Sequence, residues 1–181
     1  MKWEDGVAAG PAANQGGNER ATGASPTDGS ADGIGFRGVT ELSLDAKGRL
    51  AVPARHREGL VNGSRGELVV TADPGGCLLI FPRLAWEPLQ QQLMSFSSFN
   101  ETVRRLQRLL VGHADDVEID AAGRILVPPA LRRYAALDKH VVLVGQGRKL
   151  ELWDAVRWQA QTAQAIALPG ELPTDLAGFS L

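Results

Sequence analysis

The chain has a single cysteine, Cys77, so no disulfide can form within it, and a reducing compartment is its expected home. Cys77 opens an apolar run and reads as a buried thiol rather than a nucleophile. The three histidines, His56, His113 and His140, show no metal-ligand spacing. No apolar run approaches the roughly 20 residues that a membrane-spanning helix needs. The N-terminus also lacks the apolar core of a secretory signal. There is no P-loop and no glycine-rich dinucleotide fingerprint; Gly145-Gln-Gly147 reads as a hairpin turn. These absences leave no catalytic residues, no metal, no cofactor, no small-molecule substrate and no membrane partner to propose. The expected location is the cytoplasm.

A strong charge of one sign is missing too. The net charge is −2, from 19 Lys and Arg against 21 Asp and Glu. Residues 1–35 hold Lys2 and Arg20 against Glu4, Asp5, Glu19, Asp28 and Asp32, which leaves 17 basic and 16 acidic residues in the rest. Any binding of nucleic acid must therefore come from local clusters of Arg and Lys. Residues 1–35 are rich in Gly, Ala, Ser, Asn and Asp and poor in large apolar groups. Such a segment buries too little to offset its ordering entropy and is expected to be a disordered extension. A start codon placed too early would give the same composition.

What the chain does contain is one motif written twice, 75 positions apart. The first copy is Ser43-Leu-Asp-Ala-Lys-Gly-Arg-Leu-Ala-Val-Pro53 and the second Glu118-Ile-Asp-Ala-Ala-Gly-Arg-Ile-Leu-Val-Pro128. Asp45, Gly48, Arg49, Val52 and Pro53 match Asp120, Gly123, Arg124, Val127 and Pro128. Asp at the head of a turn accepts hydrogen bonds from its own backbone, and Gly at the fourth position tolerates positive φ. Each copy therefore reads as a strand, a tight turn and a return strand forming a hairpin. Strands are expected over 39–45, 49–52, 67–71 and 78–81, with a short helix over 54–60. The second half repeats the order: strands over 117–120, 124–127, 141–144 and 150–153, and a helix over 129–136. Between the halves, a helix over 84–96 carries the stripe Trp86, Leu89, Leu93 and Phe96. Asn100 then caps a second helix, with Val103, Leu106, Gln107 and Leu110 on one face and Arg104, Arg105 and Arg108 mostly outside. These stripes read as packing between repeats or subunits.

Each unit alone is too small to bury a core. Two fused units packed about a pseudo-twofold axis would bring both turns to one side. Arg49 and Arg124 would then share a surface with Lys47, Arg37 and Arg55, near Arg132 and Arg133. Arg carries a fork of donors suited to phosphate or to the O6/N7 edge of guanine. Asp45, Gly48, Asp120 and Gly123 are read as organising the turns, with each Asp holding its Arg through a charge-assisted hydrogen bond.

The residues 36–38 (Phe-Arg-Gly), Leu44–Pro53, Arg108–His113, Asp120–Pro128, Val142–Gln146 and Glu151–Asp154 together resemble the MraZ family, which is built from two SpoVT/AbrB-type swapped-hairpin units. The resemblance covers about residues 36–160. It implies an α+β, β-rich fold: a tandem swapped-hairpin, AbrB-like β-barrel of two pseudo-twofold repeats with interspersed short helices. The corresponding division is an extension (1–35), repeat 1 (36–83), a helical spacer (84–113), repeat 2 (114–158) and a C-terminal helix and tail (159–181). It further implies a sequence-specific, nucleoid-associated transcriptional regulator. Its partners would be double-stranded DNA, as promoter direct repeats upstream of its own gene at the division and cell-wall cluster, and itself, as a ring-shaped homo-oligomer. Autorepression is the expected mode, and the Asp-x-x-x-Arg motifs carry DNA binding. Ala122 stands where Lys47 stands in the first copy, so unequal contributions are expected.

Three other readings stay open on the residues. Asp116, Glu118 and Asp120 alternate onto one strand face, which would suit a cation and a hydrolase, although a solvated face explains them too. An antitoxin-like binder would use the same hairpin, normally in a single copy. A scaffold ring without a DNA role would keep all its activity when Arg49 and Arg124 are replaced by Ala.

Overall fold

The computed structural model describes residues 35–61 and 64–166. The expected extension up to residue 34 and the expected C-terminal tail from residue 167 onward lie outside them. Among the described residues eight strands form: β1 (Phe36–Ser43), β2 (Arg49–Ala51), β3 (Glu67–Ala72), β4 (Leu78–Pro82), β5 (Asp115–Glu118), β6 (Arg124–Leu126), β7 (His140–Gly147) and β8 (Lys149–Asp154). The helices are α1 (Ala54–Val61), α2 (Arg83–Ser95), α3 (Glu101–Leu106), α4 (Pro129–Tyr134) and α5 (Ala155–Ile166). A π-helical turn, Gln107–Val111, continues α3. None of the described helices is long and apolar enough to cross a membrane. The fold is α+β with antiparallel pairing throughout.

Strand pairing differs from two self-contained hairpins. Six strands make one sheet in the order β1-β7-β8-β4-β3-β5, and β2 and β6 form a separate two-stranded ribbon. The first strand of each repeat therefore lies against the other repeat: β1 on β7 and β5 on β3. The expected return strands do not run back along their own first strands. After the turn a single bridge, Leu44 to Leu50, remains, and β2 then departs to meet β6. The expected barrel is likewise not closed. Since β2 and β6 leave to pair with each other, no strand among the described residues joins β1 to β5, and both remain edges of the sheet.

The register reveals the symmetry. In the β2–β6 ribbon, Leu50 opposes Ile125, its own counterpart 75 positions on. In the large sheet, Leu79 opposes Glu151, its counterpart at a spacing of 72. A local twofold axis passes through both pairs. The shorter second spacing reflects three fewer residues between the turn and the last hairpin of repeat 2.

The central strands are apolar on both faces because both faces are covered. On one side Leu68, Val70, Leu78, Ile80, Leu143, Leu150 and Leu152 pack against Leu50 and Ile125 of the ribbon and Leu60 and Leu131 of α1 and α4. On the other, Val69, Cys77, Leu79, Phe81, Val142, Val144 and Trp153 pack under Trp86, Leu110 and Trp158. The last hairpin and helix of each repeat end alike: Trp86 meets Phe81 at 5.5 Å between ring centroids, and Trp158 meets Trp153 at 5.9 Å. Asn100 caps α3 as expected, its Oδ1 accepting from the Thr102 and Val103 amides. Gln107 Nε2 donates to the Leu93 and Phe96 carbonyls and so ties off the end of α2. The α2 stripe is only partly covered: Trp86 is buried, while Leu89 and Phe96 stay exposed along a groove of about 530 Å³.

Candidate nucleic-acid interface

The two repeated turns are built by the same bonds. Asp45 Oδ1 accepts from the Lys47 and Arg49 amides, both at 2.9 Å, and Oδ2 accepts from Nε of Arg49 at 2.6 Å. Asp120 Oδ1 accepts from the Ala122 and Arg124 amides at 2.9 Å. Its Oδ2 takes Nε of Arg124 at 2.9 Å and Nη2 at 2.8 Å. Gly48 and Gly123 close the turns with φ of 81° and 75°, and their amides donate to the Asp45 and Asp120 carbonyls at 2.8 Å. Only a residue without Cβ takes that backbone cheaply. One carboxylate thus holds the turn with one oxygen and aims the guanidinium with the other.

These bonds also set the acidity. The Arg49 amide, followed by its guanidinium and the Lys47 amide, holds the Asp45 carboxyl down at about 2. The Arg124 guanidinium, followed by its amide, lowers Asp120 as well. Both remain carboxylates near neutrality, so each Arg has a charged partner. Each guanidinium still has donors left over from its five. Both side chains are about one-third exposed.

The ribbon carries both arginines on one face. Arg49 opposes Leu126 and Ala51 opposes Arg124, and directly opposed residues of an antiparallel pair share a side. That side is Arg49, Ala51, Leu126 and Arg124, with Leu126 and Ala51 open to solvent. Leu50 and Ile125 point the other way and are fully buried. Two residues of strand and one interstrand gap separate the arginine Cα atoms, about 8 Å. The pseudo-twofold arrangement expected of Arg49 and Arg124 is therefore present.

The other expected residues divide. Lys47 sits exposed at the tip of the first turn. Arg37 and Arg55 do not join it. Arg37 lies near the start of β1, opposite Gln146, about 20 Å of strand from the turn. The Arg55 guanidinium is fixed on the middle of β1, donating to the Val39 carbonyl and the Thr40 hydroxyl. Its Nε donates to Nε2 of His56 at 3.2 Å. His56 is buried edge-on to Phe36, and burial, then the Arg55 charge, hold its pKa down, as an accepting nitrogen requires. Cys77 is buried, and burial pushes its thiol well up. Asp116 of the acidic strand face pairs with Arg83 at 3.5 Å. Among the described residues no cluster of His, Cys, Asp and Glu suits a metal ion.

A second arginine pair was not singled out from the sequence as a pair. Arg57 of α1 and Arg132 of α4 lie 75 positions apart, like the turns. Each guanidinium covers the turn glycine of the other repeat, Arg132 over Gly48 and Arg57 over Gly123. Extending the repeat spacing past Pro53 and Pro128 would have found them.

Interlocked repeats with twin Asp-braced arginines on one ribbon define a class: a tandem-repeat α+β protein presenting a paired cationic surface. The chain belongs to the MraZ family: the profile of the family described as MraZ protein matches residues 36–109 and again 110–175. It is similar to the transcriptional regulator MraZ of Nitrosospira multiformis, 60% identical over 146 residues, spanning 81% of this chain and 99% of that protein. The transcriptional regulator MraZ of Thiobacillus denitrificans is 55% identical over 147 residues, and that of Pseudomonas fluorescens 50% over 150, with the same two coverages.

Proposed function

We propose that this protein is a transcriptional regulator that binds double-stranded DNA through the β2–β6 ribbon. The observation that carries the reading is the pair of Asp-braced arginines, Arg49 and Arg124, on one outward ribbon face. A two-stranded ribbon fits the major groove. The free edge of each guanidinium is suited to the O6/N7 edge of guanine or to phosphate oxygens. Leu126 and Ala51 between them offer apolar contact to a thymine methyl. Lys47 adds a cation at the first tip only, which makes repeat 1 the stronger half. Asp45 and Asp120 organise the turns and do not face the DNA, where phosphate would repel them.

The names of the relatives, each a transcriptional regulator, agree with this assignment. On this reading the protein is a cytoplasmic, nucleoid-associated autorepressor at direct repeats upstream of its own gene, at the division and cell-wall cluster. Repeats 36–83 and 114–158 form its binding unit around the spacer 84–113, in the swapped-hairpin manner. Copies assemble into a ring, so that weak single contacts combine through effective concentration.

Fluorescence anisotropy tests the reading, using the duplex upstream of the protein's own gene against a scrambled duplex. Preferential, salt-sensitive binding by the wild type that Arg49→Ala abolishes is the expected result. Equal binding to both duplexes would reduce the role to non-specific DNA binding. No binding by the assembled protein would favour a scaffold.

A further inference from the structure

We propose that Arg57 and Arg132 are positioning residues that act across the repeats: Arg132 of repeat 2 holds the first arginine turn, and Arg57 of repeat 1 holds the second. The inference rests on the DNA-binding reading for its consequence, but not for its geometry. An ideal Cβ at Gly48 would lie 2.5 Å from Cζ and Nη1 of Arg132 and 2.7 Å from its Nε. One at Gly123 would lie 2.5 Å from Cζ and Nε of Arg57. The guanidinium planes therefore lie directly on the bare face of each turn glycine, in the space a side chain would take.

The backbone is crossed in the same sense. The Val127 amide donates to the Gly48 carbonyl and the Val52 amide to the Gly123 carbonyl, both at 3.0 Å. Each turn is thus bonded by the other repeat's Val amide and covered by the other repeat's Arg. Gly48 and Gly123 immediately precede Arg49 and Arg124, so their placement sets where those guanidinium groups start. The two clamps are not equally anchored. Nε of Arg57 donates to the Val52 carbonyl at 2.8 Å, whereas Nε of Arg132 is buried without a partner. Arg132 therefore holds its place by packing on Gly48 more than by its own hydrogen bond.

The geometry makes a crossed prediction that neither a general stabiliser nor a direct phosphate contact shares. Hydrogen–deuterium exchange on the full-length assembled protein would follow the bonded amides of each turn alone, within 45–49 and 120–124, whose acceptors lie in their own turn, and leave out Val52 and Val127, whose amides report on the opposite turn. Arg132→Ala should speed exchange in the first turn and leave the second unchanged; Arg57→Ala should do the reverse. Faster exchange in the variant's own repeat, in both turns equally, or in neither overturns the proposal. Arg132→Lys keeps the cation and loses the plane, so the faster exchange should persist; restoration by Lys would instead mark a charge effect and overturn it.

DNA binding supplies the second arm, as a double-mutant cycle read by anisotropy. Arg132→Ala should weaken binding roughly 3- to 10-fold, and less so when Arg49 is already Ala, while its effect should be undiminished in an Arg124→Ala background. Full additivity in both backgrounds would mean that Arg132 touches DNA itself, and would overturn the positioning role. If the wild type binds no DNA, the functional reading fails while the exchange arm still decides the clamp.

Discussion

Asp45 divides its two oxygens between backbone and side chain, and substitutions should separate the two duties. Asn keeps an oxygen for the Lys47 and Arg49 amides but offers the Arg49 guanidinium no charge. Asp45→Asn should lower the melting temperature less than Asp45→Ala does, since it keeps the turn's acceptor but loses the charge, while both should weaken DNA binding; melts alongside anisotropy separate them. The acidity of Asp45 fixes the pH at which its duty ends. Its folded pKa, about 2, lies below the ordinary 3.8, so the stability it contributes is complete above 3.8 and is lost as pH falls from there through 2. The difference in melting temperature between wild type and Asp45→Ala should therefore stay constant from about pH 5 to 8 and shrink below about pH 4. At Arg49, removing a bidentate contact to guanine should cost about 1–3 kcal/mol of sequence discrimination, seen as convergence of specific and scrambled duplex affinities.

The turns were the most legible elements because their chemistry is local. Asp at the first position, Gly at the fourth and an exact repeat of both announce the backbone without reference to anything distant. The short helices after Pro53 and Pro128 and the Asn100 cap were legible on the same grounds. Strand partners were not. Period-two patterning says which residues face inward, but not which strand lies alongside, so the sequence reads β2 into its own hairpin where the structure pairs it with β6. The places of Arg37 and Arg55 depend on the same partners: β1 carries Arg37 away from the turn along β7, and the Arg55 guanidinium is drawn from α1 onto the middle of β1. The ribbon itself is the element to test. Leu50 is fully buried on the twofold axis, and Leu50→Ala should cost about 2–5 kcal/mol in denaturant melts, with Ile125→Ala similar by symmetry. Gly48→Ala adds two costs, about 1–2 kcal/mol for an L-residue at φ of 81° and the displacement of the Arg132 guanidinium by the new Cβ, so denaturant melts should show a loss above the backbone cost alone.

For the molecule as a whole, a net charge of −2 supplies no general attraction to DNA, so the proposed binding must rest on the ribbon's own cations. Binding should fall linearly in log K with log salt, and each phosphate contact removed should flatten the slope by about 0.9. Comparing slopes for wild type and Arg49→Ala therefore tells phosphate contact from base contact: an unchanged slope with lost discrimination is the expected sign of guanine reading. The repeat made the twofold plan legible from the sequence, while the interlocking that joins the halves depends on contacts across most of the described chain.

That interlocking sets a clock on synthesis. Phe36 pairs with Gly147, so β1 has no partner until about 110 further residues have been made. At typical elongation rates of about 5–20 residues per second, β1 emerges and waits roughly 5 to 20 s with its ladder of backbone donors and acceptors unpaired. During that interval neighbouring nascent chains present the same bare strand. The sparing use of large apolar groups in β1, where Phe36 alone is buried, then serves to keep young chains from sticking to one another.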